Sequence, residues 1–352
     1  MEKKFFVSSS PHLVDQESIP KIMYSVIAAL LPAGIGGVYF FGVRALWVIL
    51  ISVISAVAAE AFMQKLLKKP LTITDGSAAL TGILLAYCLS PQVPLWIPVI
   101  GSFFAIAIGK QIFGGLGHNP MNPALAARAF LLASWPTQTT VFSASVPKGG
   151  YLAGVPLNVD GISQATPLNL YKQLREIYIH PAQYPQFDQG AIHHEIANLT
   201  DSYASLKSLF VGNIGGCIGE TSVLLLLVGA AFLMYKRYIG WKIPFSFVGT
   251  VAVLSWIFAG KDGLCSGNMI FPVLSGGLIL GAFFMATDMV TSPITFKGRI
   301  LFGIGCGIIT VVIRVVGGYP EGVCYAILLM NLLVPLLDRL TKPRVFGGAK
   351  AR

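Results

Sequence analysis

Apolar residues are concentrated in two long blocks of this chain, residues 22–134 and 208–337, and a polar insert at residues 135–207 separates them. Within the blocks, apolar runs of roughly 15 to 20 residues match the length that a helix needs to cross a bilayer core of about 30 Å. The pattern predicts ten membrane spans, five in each block. We expect them at residues 22–40, 46–62, 77–91, 93–109, 122–134, 214–235, 243–259, 268–286, 299–317 and 321–337.

Several of these spans are short or interrupted by glycine and proline, notably residues 77–91, residues 122–134 and the approach from Phe210 to Gly219. Broken helices of this kind are tolerated at membrane depth only where protein or a water-filled cavity satisfies the freed backbone groups. We therefore expect packed protein or a cavity beside them.

The composition also indicates a membrane protein. The chain of 352 residues is 55% hydrophobic and 11% charged, with a mean hydropathy of +0.72. An average soluble domain is about 25% charged. The formal net charge of +10 would suit nucleic acid, but the sequence has no basic stripe interleaved with exposed aromatic residues. Nucleic acid is therefore not an expected partner.

The five cysteines lie singly in apolar surroundings, without a C-x-x-C pair. Structural zinc sites and iron–sulfur clusters need cysteines at short, regular spacings. His118 has no second histidine or cysteine at ligand spacing either. We therefore expect this chain to bind no metal by itself.

The distribution of lysine and arginine predicts the orientation of the spans. With the N-terminus in the cytoplasm, most basic residues of the short loops lie inside, as the positive-inside rule requires. Both termini are then cytoplasmic, in a multi-pass protein of the cell (inner) membrane. Residues 1–134 are expected to form a first membrane repeat, residues 135–207 an extracytoplasmic insert, and residues 208–352 a second membrane repeat with a cytoplasmic tail.

The two blocks resemble each other. Ser90-Pro91 recurs as Ser292-Pro293, and Gly114-Gly115 recurs as Gly317-Gly318. Because each block has an odd number of spans, duplicated blocks would enter the membrane from opposite sides and form an inverted repeat. The predicted fold is an all-α membrane protein with two inverted five-helix repeats and broken half-helices. The alternative is that these dipeptides are ordinary turn signals that coincide by chance.

The insert contains a distinctive run, Asp160-Gly161-Ile162-Ser163-Gln164-Ala165-Thr166-Pro167. Its Asp-Gly step favours a turn, and the proline biases Thr166 toward an extended backbone. We therefore expect the hydroxyl to be exposed to an incoming partner. No basic residue lies next to Thr166 to activate it as a nucleophile, so the residue suits esterification by an enzyme. An ordinary turn is the alternative.

A second candidate site lies between Gly114 and Pro123. Asn122 suits a helix N-cap and Pro123 the first helical position. The N-terminus of a helix offers free N–H groups and the positive end of the helix dipole, which favour an anionic or polar ligand. A re-entrant turn needed only for packing is the alternative. The candidate ligand-binding residues are Gly117, His118, Asn119 and Asn122.

Acidic residues at or near membrane depth form a third group: Glu60, Asp75, Glu220, Asp288 and Glu321. Exposure of such groups to lipid costs at least a few kcal/mol each, so they are expected to face the interior, a cavity or a partner. Asp288, Asp75 and Glu220 are candidates for an ion pathway. Helix capping or pairing with a nearby cation is the alternative.

The chain resembles the D subunits of Rnf electron-transport complexes, which are homologous to the B subunit of the sodium-pumping NADH:quinone reductase. The family's Ser-x-Ala-Thr motif reads Ser163-Gln164-Ala165-Thr166 here, with glutamine where glycine is frequent. Three further segments extend the resemblance over essentially the whole chain. They are residues 75–91, residues 117–124 and residues 286–293.

This resemblance implies that a flavin transferase joins FMN through a phosphoester to Thr166, within a motif that includes Asp160, Ser163 and Ala165. It implies a subunit of a translocase-type oxidoreductase, not catalytic alone, in which electron transfer between ferredoxin and NAD is coupled to movement of Na⁺ or H⁺. By analogy with the quinone-reductase subunit, riboflavin is a candidate second flavin near the segment from Gly117 to Asn122.

The implied partners are a flavoprotein G-type subunit, cluster-bearing A-type and E-type membrane subunits, and cytoplasmic B and C subunits. The chain itself has no Rossmann fingerprint and no cluster-binding cysteines, so it is not expected to bind NAD or ferredoxin alone. The family fold is similar to that of urea transporters, so a transporter or channel for a small polar solute is the alternative function. A purely structural membrane anchor is a third interpretation.

Overall fold

A computed structural model describes residues 17–142, 166–185, 187–260, 263–319 and 321–342. Within these ranges the regular structure is entirely helical, which confirms the predicted all-α class. The helices are α1 (Ile19–Phe41), α2 (Val43–Leu66), α3 (Ser77–Tyr87), α4 (Trp96–Ile106), α5 (Pro123–Ser134), α6 (Pro136–Thr139), α7 (Pro167–Ile179), α8 (Gln189–Thr200), α9 (Tyr203–Val211), α10 (Val223–Tyr235), α11 (Lys242–Phe258), α12 (Phe271–Leu274), α13 (Leu278–Leu280), α14 (Phe296–Val315) and α15 (Val323–Leu340). A π-helical turn continues α4 through Ala107–Gln111, and another continues α13 through Gly281–Met285.

Four of the helices, α1, α2, α14 and α15, are long and apolar enough to cross a membrane. Shorter apolar helices of 10–17 residues, namely α3, α4 with its π-helical turn, α5, α10 and α11, lie at other predicted spans. The predicted break in the approach to α10 is confirmed, because residues Asn213 to Ser222 are non-helical. The helix predicted from residue 214 therefore begins only at Val223. The ten-span inverted topology and the division of the chain at residues 134 and 207 stay predictions.

The predicted span at residues 268–286 is wrong as a continuous helix. It is divided into α12 and α13 by Ser275, which is extended, and by Gly276 and Gly277, which have φ angles of +69° and +61°. Consecutive residues with positive φ do not fit a right-handed helix, so the backbone breaks there. The break lies in the second block, inside an apolar run.

The first block has a related break before α3. Gly76 has a φ of +78° and directly precedes the helix. The Asp75 carboxylate accepts hydrogen bonds from the Ser77 N–H at 2.8 Å and from the Ser77 hydroxyl at 2.7 Å. Asp75 therefore caps the start of α3. Helix capping was the alternative to an ion-pathway role for this residue.

The two blocks are joined through close backbone contacts. A Cβ atom on Gly229 of α10 would lie 2.0 Å from the carbonyl oxygen of Ala29 in α1, so only glycine allows this approach. Backbone N–H groups before α10 also donate to carbonyls at the end of α3. These bonds run from Ile218 to Leu89 and from Gly219 to Tyr87, both at 3.0 Å. They satisfy carbonyls that the end of a helix leaves unpaired.

Helix α7 of the insert lies against the C-terminal ends of α11 and α14. Its polar side chains donate to the carbonyls there: Tyr171 to Ala259, Arg175 to Phe258 and Gly260, and Lys172 to Gly317. Cationic donors are favourable at helix C-termini because of the negative end of the dipole. Since α11 has 17 residues, α7 lies roughly 25 Å from the start of α11 at Lys242.

Candidate functional site

Thr166 is the N-cap of α7. Its backbone is extended, with φ −61° and ψ 150°, and Pro167 occupies the first helical position. The Thr166 Oγ1 atom accepts a hydrogen bond from the Asn169 N–H at 3.3 Å. The extended backbone predicted from the following proline is confirmed.

The predicted exposure of the Thr166 hydroxyl is wrong for the folded chain, since the residue is only 5% exposed. As an N-cap, its side chain turns back onto the first turn of α7. That turn is itself buried, because Leu168 packs with Leu209 and Phe271 in a small apolar cluster. The motif residues Asp160, Ser163 and Ala165 lie outside the residues that the structure describes.

The start of α7 lies next to the break between α12 and α13. The position of a Cβ atom on Gly276 would be 2.8 Å from the Leu168 side chain and 3.2 Å from the Arg314 guanidinium. Arg314 donates to the carbonyl oxygens around the break. These are Pro272 at 2.6 Å, Ser275 at 3.2 Å, Gly276 at 3.3 Å and Glu321 at 3.0 Å. One buried side chain therefore satisfies backbone groups that the broken helix leaves free.

A cavity of about 110 Å³ lies near the start of α3 and the start of α5. Leu80, Leu84 and Phe284 supply part of its apolar wall. Its polar groups come from both blocks and are Ser77, Thr81, Lys110, Asn119, Asn122, Tyr238, Thr287 and Asp288. The lining is therefore mostly apolar with a few polar groups, as in many small-molecule sites.

Asn122 and Asn119 both line this cavity. Asn122 caps α5 as predicted, because its Oδ1 atom accepts from the N–H groups of Ala124 at 3.0 Å and Leu125 at 3.3 Å. Asn119 is 6% exposed, and its Oδ1 atom has no hydrogen-bond partner among the described residues. A buried acceptor without a donor costs about 1–3 kcal/mol, so this atom is suited to a donor on a bound molecule.

Gly117 and His118 are not part of the cavity wall. Both are exposed, and the His118 ring lies close to Gly114 instead. Of the four residues predicted to bind a ligand here, the structure brings together Asn119 and Asn122. The other two lie in the loop that leads to them.

A buried ion pair beside the cavity was not predicted from the sequence. The Lys110 Nζ atom lies 2.6 Å from Glu60 Oε1 and 2.5 Å from the Ser77 hydroxyl. Gln111 Nε2 donates to the same Glu60 oxygen at 2.9 Å. The positive-inside rule treats Lys110 as a loop charge, but the structure buries it. The available signal was the isolated Glu60 in an apolar span, which needs a nearby cation.

Asp288, which was predicted from the sequence as an ion-pathway residue, also lies on the cavity wall. Its carboxylate accepts from the Val290 N–H at 3.4 Å and from the Thr291 hydroxyl at 3.1 Å. Burial raises the pKa of the Asp288 carboxyl above its ordinary value. Asp75 does not line the cavity, but its hydrogen-bond partner Ser77 does.

Glu220 lies in a different place, at the interface between the blocks. Its carboxylate accepts from the Cys217 N–H at 2.9 Å, and the Cys217, Glu220 and Glu321 ligand atoms lie within 4.8 Å of one another. Arg128 Nη2 is 3.9 Å from Glu321 Oε2, and this positive charge opposes a bound cation. The three predicted ion-pathway residues therefore do not converge on one site.

Together, these features define a helical membrane protein with a buried N-cap threonine at one end and a mixed apolar and polar cavity at the other. Comparison with known proteins gives the family. The model of the NQR2, RnfD, RnfE family matches residues 6–347. The chain therefore belongs to the NQR2, RnfD, RnfE family.

Three relatives are similar over nearly their whole length. Identity is 47% to the D subunit of the proton-translocating ferredoxin:NAD(+) oxidoreductase complex of Clostridium ljungdahlii, covering 97% of this chain and 96% of the relative. It is 48% to the D subunit of the Na(+)-translocating ferredoxin:NAD(+) oxidoreductase complex of Acetobacterium woodii, covering 100% and 98%. It is 43% to the D subunit of the ion-translocating oxidoreductase complex of Stutzerimonas stutzeri, covering 94% and 93%. The resemblance to Rnf D subunits is confirmed.

Proposed function

We propose that this chain is the membrane-embedded D subunit of an ion-translocating ferredoxin:NAD⁺ oxidoreductase complex. The observation that carries this proposal is the 47% and 48% identity to two such subunits over almost the full length of both chains. Because the similarity extends over whole subunits and not over one shared domain, it favours a redox subunit over a solute transporter. The proposed partners are the G-type, A-type, E-type, B and C subunits.

The chain carries FMN in a phosphoester to Thr166, attached by a flavin transferase. The position of Thr166 supports this assignment, because it caps a helix of 13 residues. The N–H groups of the first turn and the positive end of the helix dipole favour a phosphate there. When bound, FMN accepts and releases electrons. The contacts of α7 with α11 and α14 then fix the flavin-bearing residue at one end of the membrane domain.

The burial of Thr166 has a consequence for the order of assembly. Its hydroxyl is turned into the first turn of α7 and is not accessible to a transferase in the folded chain. We therefore propose that flavin attachment precedes the docking of α7 onto the ends of α11 and α14. With FMN attached, Thr166 Oγ1 would be the ester oxygen and would keep its place as the acceptor for the Asn169 N–H.

The cavity at the start of α5 takes a second, unphosphorylated flavin, riboflavin. The free Asn119 Oδ1 atom is an acceptor for an N–H or O–H group of the ligand. A phosphate carries a charge of about −1.5 to −2, which is more than one lysine already paired with Glu60 can balance, and Asp288 lies on the same wall. The described part of the cavity therefore suits an uncharged flavin.

The orientation follows from the basic residues: both termini are cytoplasmic, and the insert at residues 135–207 is extracytoplasmic. The division into two inverted repeats, residues 1–134 and 208–352, remains part of this proposal. The cavity then faces the cytoplasmic half and Thr166 the opposite end. The two flavins are therefore separated along the membrane normal.

The coupling ion is Na⁺ or H⁺. Two relatives that are named for different ions have 47% and 48% identity to this chain, so overall similarity favours neither. Asp288 and Asp75 contribute to the ion pathway near the cavity, and Glu220 contributes at the interface between the blocks. The proposed ion pathway therefore passes two separate groups of acidic residues, one near the cavity and one at the interface between the blocks.

Thr166→Asn tests the covalent flavin with little effect on the fold. Asparagine caps helices as well as threonine does, but its amide forms no phosphoester. The variant should insert normally and lose all flavin fluorescence from its band on a denaturing gel, and the FMN mass should be absent from the peptide that contains residue 166. Thr166→Ser retains both the cap and the hydroxyl and should keep much of the signal.

A fluorescent Thr166→Asn band would overturn the attachment site. Thr166→Ala is the less informative variant, because loss of the cap itself costs about 1 kcal/mol. If Thr166→Asn lacks the flavin but also fails to accumulate in the membrane, the serine variant separates a folding defect from a missing ester. A stable serine variant without flavin would also contradict the proposal.

A further inference from the structure

Lys110 has a free donor at the cavity wall. An ammonium group has three N–H bonds. In the described part of the chain, the Lys110 ammonium has two hydrogen-bond partners, Glu60 Oε1 at 2.6 Å and the Ser77 hydroxyl at 2.5 Å. Both Lys110 and Ser77 contribute to the cavity surface. One N–H is therefore available to a molecule bound in the cavity.

The Lys110 side chain is buried, and contacts with other protein groups hold it in place. The side chains of Lys110 and Glu60 are 3% and 0% exposed. Glu60 is held in turn by Gln111, and its Oε2 atom has no partner among the described residues. An ion pair in such surroundings acts at short range with little screening by water. A change of charge in the cavity would therefore interact strongly with Lys110.

The other ionisable groups on the cavity wall do not duplicate this role. Asp288 is a carboxylic acid that accepts from Val290 and Thr291, and Tyr238 donates to Glu17 at 2.7 Å. Neither supplies positive charge. Among the described residues that line the cavity, Lys110 is the cation.

We propose that Lys110 contacts the flavin bound in this cavity and stabilises its reduced, negatively charged form, with Glu60 and Ser77 as positioning residues. This inference rests on the proposed second flavin. A neutral isoalloxazine that takes two electrons from a reduced flavin or iron–sulfur donor and one proton from water has one net negative charge. A fixed positive charge beside the ring favours that state and raises the reduction potential.

The ion pair with Glu60 allows a test with two variants that differ only in the charge at residue 110. Glu60→Gln removes the counter-charge but keeps an acceptor for Lys110 and Gln111. The uncompensated lysine should then raise the midpoint potential of the non-covalent flavin above that of the wild type. The double variant Glu60→Gln with Lys110→Met removes both charges and leaves no buried ion without a partner. It should have the lower potential of the two.

The experiment uses the complete complex, purified through a tag on this chain. Acid extraction first measures the non-covalent flavin, and a spectroscopic redox titration then gives its midpoint potential in the two variants. A tenfold loss of preference for the reduced form lowers the potential by about 30 mV for a two-electron couple. We expect at least this difference between Glu60→Gln and the double variant. Lys110→Arg keeps the positive charge, so its midpoint potential should be closer to that of the wild type than the potential of the double variant is.

The outcomes separate this inference from the proposed function. A wild-type complex without extractable flavin would overturn the second flavin, and with it the role of Lys110. Bound flavin with equal potentials in the two variants would overturn the role of Lys110 alone. Fluorescence of the Thr166-linked flavin on a denaturing gel reports whether each variant was assembled. Loss of the extractable flavin from an assembled double variant, but not from Glu60→Gln, would support the contact.

Discussion

Each membrane block contains a buried cation near the end of its fourth predicted span, but the two cations have different partners. Lys110, in the turn that continues α4, bonds to the Glu60 carboxylate and the Ser77 hydroxyl. Arg314, in the last turn of α14, bonds to four backbone carbonyls, most of them around the break before α13. In both blocks the cation lies close to the start of a helix that is preceded by a glycine with positive φ.

The difference separates a structural cation from one available to a ligand. The guanidinium of arginine presents its donors in a fixed fork, which suits several carbonyls at once. Arg314 therefore satisfies the broken backbone and has no need of a ligand. Lys110 has fewer partners, a counter-charge and a place on the cavity wall. Comparable positions thus hold a structural cation in the second block and a candidate functional group in the first.

The largest effect is expected from Arg314→Met. It leaves several buried carbonyls without donors, and each such acceptor costs about 1–3 kcal/mol. We expect a loss of roughly 4 kcal/mol in stability after partial relaxation. The variant should accumulate poorly in the membrane, and the purified fraction should unfold at a much lower temperature than the wild type.

Arg314→Lys serves as the control, because it keeps the charge but offers fewer donors in a different geometry. Its stability should lie between those of the methionine variant and the wild type. Wild-type stability in Arg314→Met would show that water or another group already satisfies these carbonyls. The contrast between the two buried cations would then lose its basis.

A second, intermediate effect is expected at the cavity end from Asn119→Leu. Leucine has a similar size and removes the unpaired buried acceptor, but it also loses the bond from Asn119 Nδ2 to the Met121 carbonyl at 3.2 Å. These two effects oppose each other, so the chain without ligand should be close to the wild type in stability. The affinity for the extractable flavin should fall by about 10- to 100-fold, which corresponds to one lost hydrogen bond of about 1–3 kcal/mol. Titration of the flavin-free complex with riboflavin, followed by quenching of flavin fluorescence, measures this affinity.

Ser52→Ala is a matched control for that variant. Ser52 is a buried polar residue of the same block that bonds to Ser102 at 3.1 Å and does not line the cavity. The substitution should lower stability slightly without changing the flavin content. Equal flavin affinity in Asn119→Leu and in the wild type would mean that the free Asn119 oxygen faces water and not a ligand.

The positions of the helices were largely predictable from hydropathy, because the thickness of a bilayer sets the length of an apolar helix. The break at Ser275 was not predictable in this way. Its neighbours are apolar on both sides, and a Gly-Gly step fits a helix or a turn equally well. The break depends on Arg314, which lies 38 residues beyond Gly276 and satisfies its carbonyl.

Only those features of the candidate sites that depend on neighbouring residues in the sequence were predicted. Pro123 predicted the cap at Asn122, since proline favours the first position of a helix. Pro167 predicted the extended backbone of Thr166 but not its role as an N-cap. Burial of Thr166 was missed because it follows from the docking of α7 on distant helix ends. The pairing of Lys110 with Glu60 was missed because the two residues are 50 positions apart and meet only when α4 packs on α2.

The smallest effect is expected from Asp288→Asn, which probes the acidic residue among those that line the cavity. Burial raises the pKa of the Asp288 carboxyl, so the folded chain binds this proton more tightly than the unfolded chain does. The resulting stability is fully present below the ordinary pKa of the group and is lost as the pH rises through the raised value. Asparagine keeps an acceptor for Val290 and Thr291 but does not titrate.

The melting temperature of the wild type should therefore fall between acid and neutral pH by at most a few degrees more than that of Asp288→Asn does. Unfolding curves of both proteins across that range measure the difference, and parallel curves would mean that the carboxyl ionises without cost. Ion transport in vesicles should fall in the same variant while the Thr166-linked flavin remains, because Asp288 belongs to the cavity end and Thr166 to the opposite end of the membrane domain.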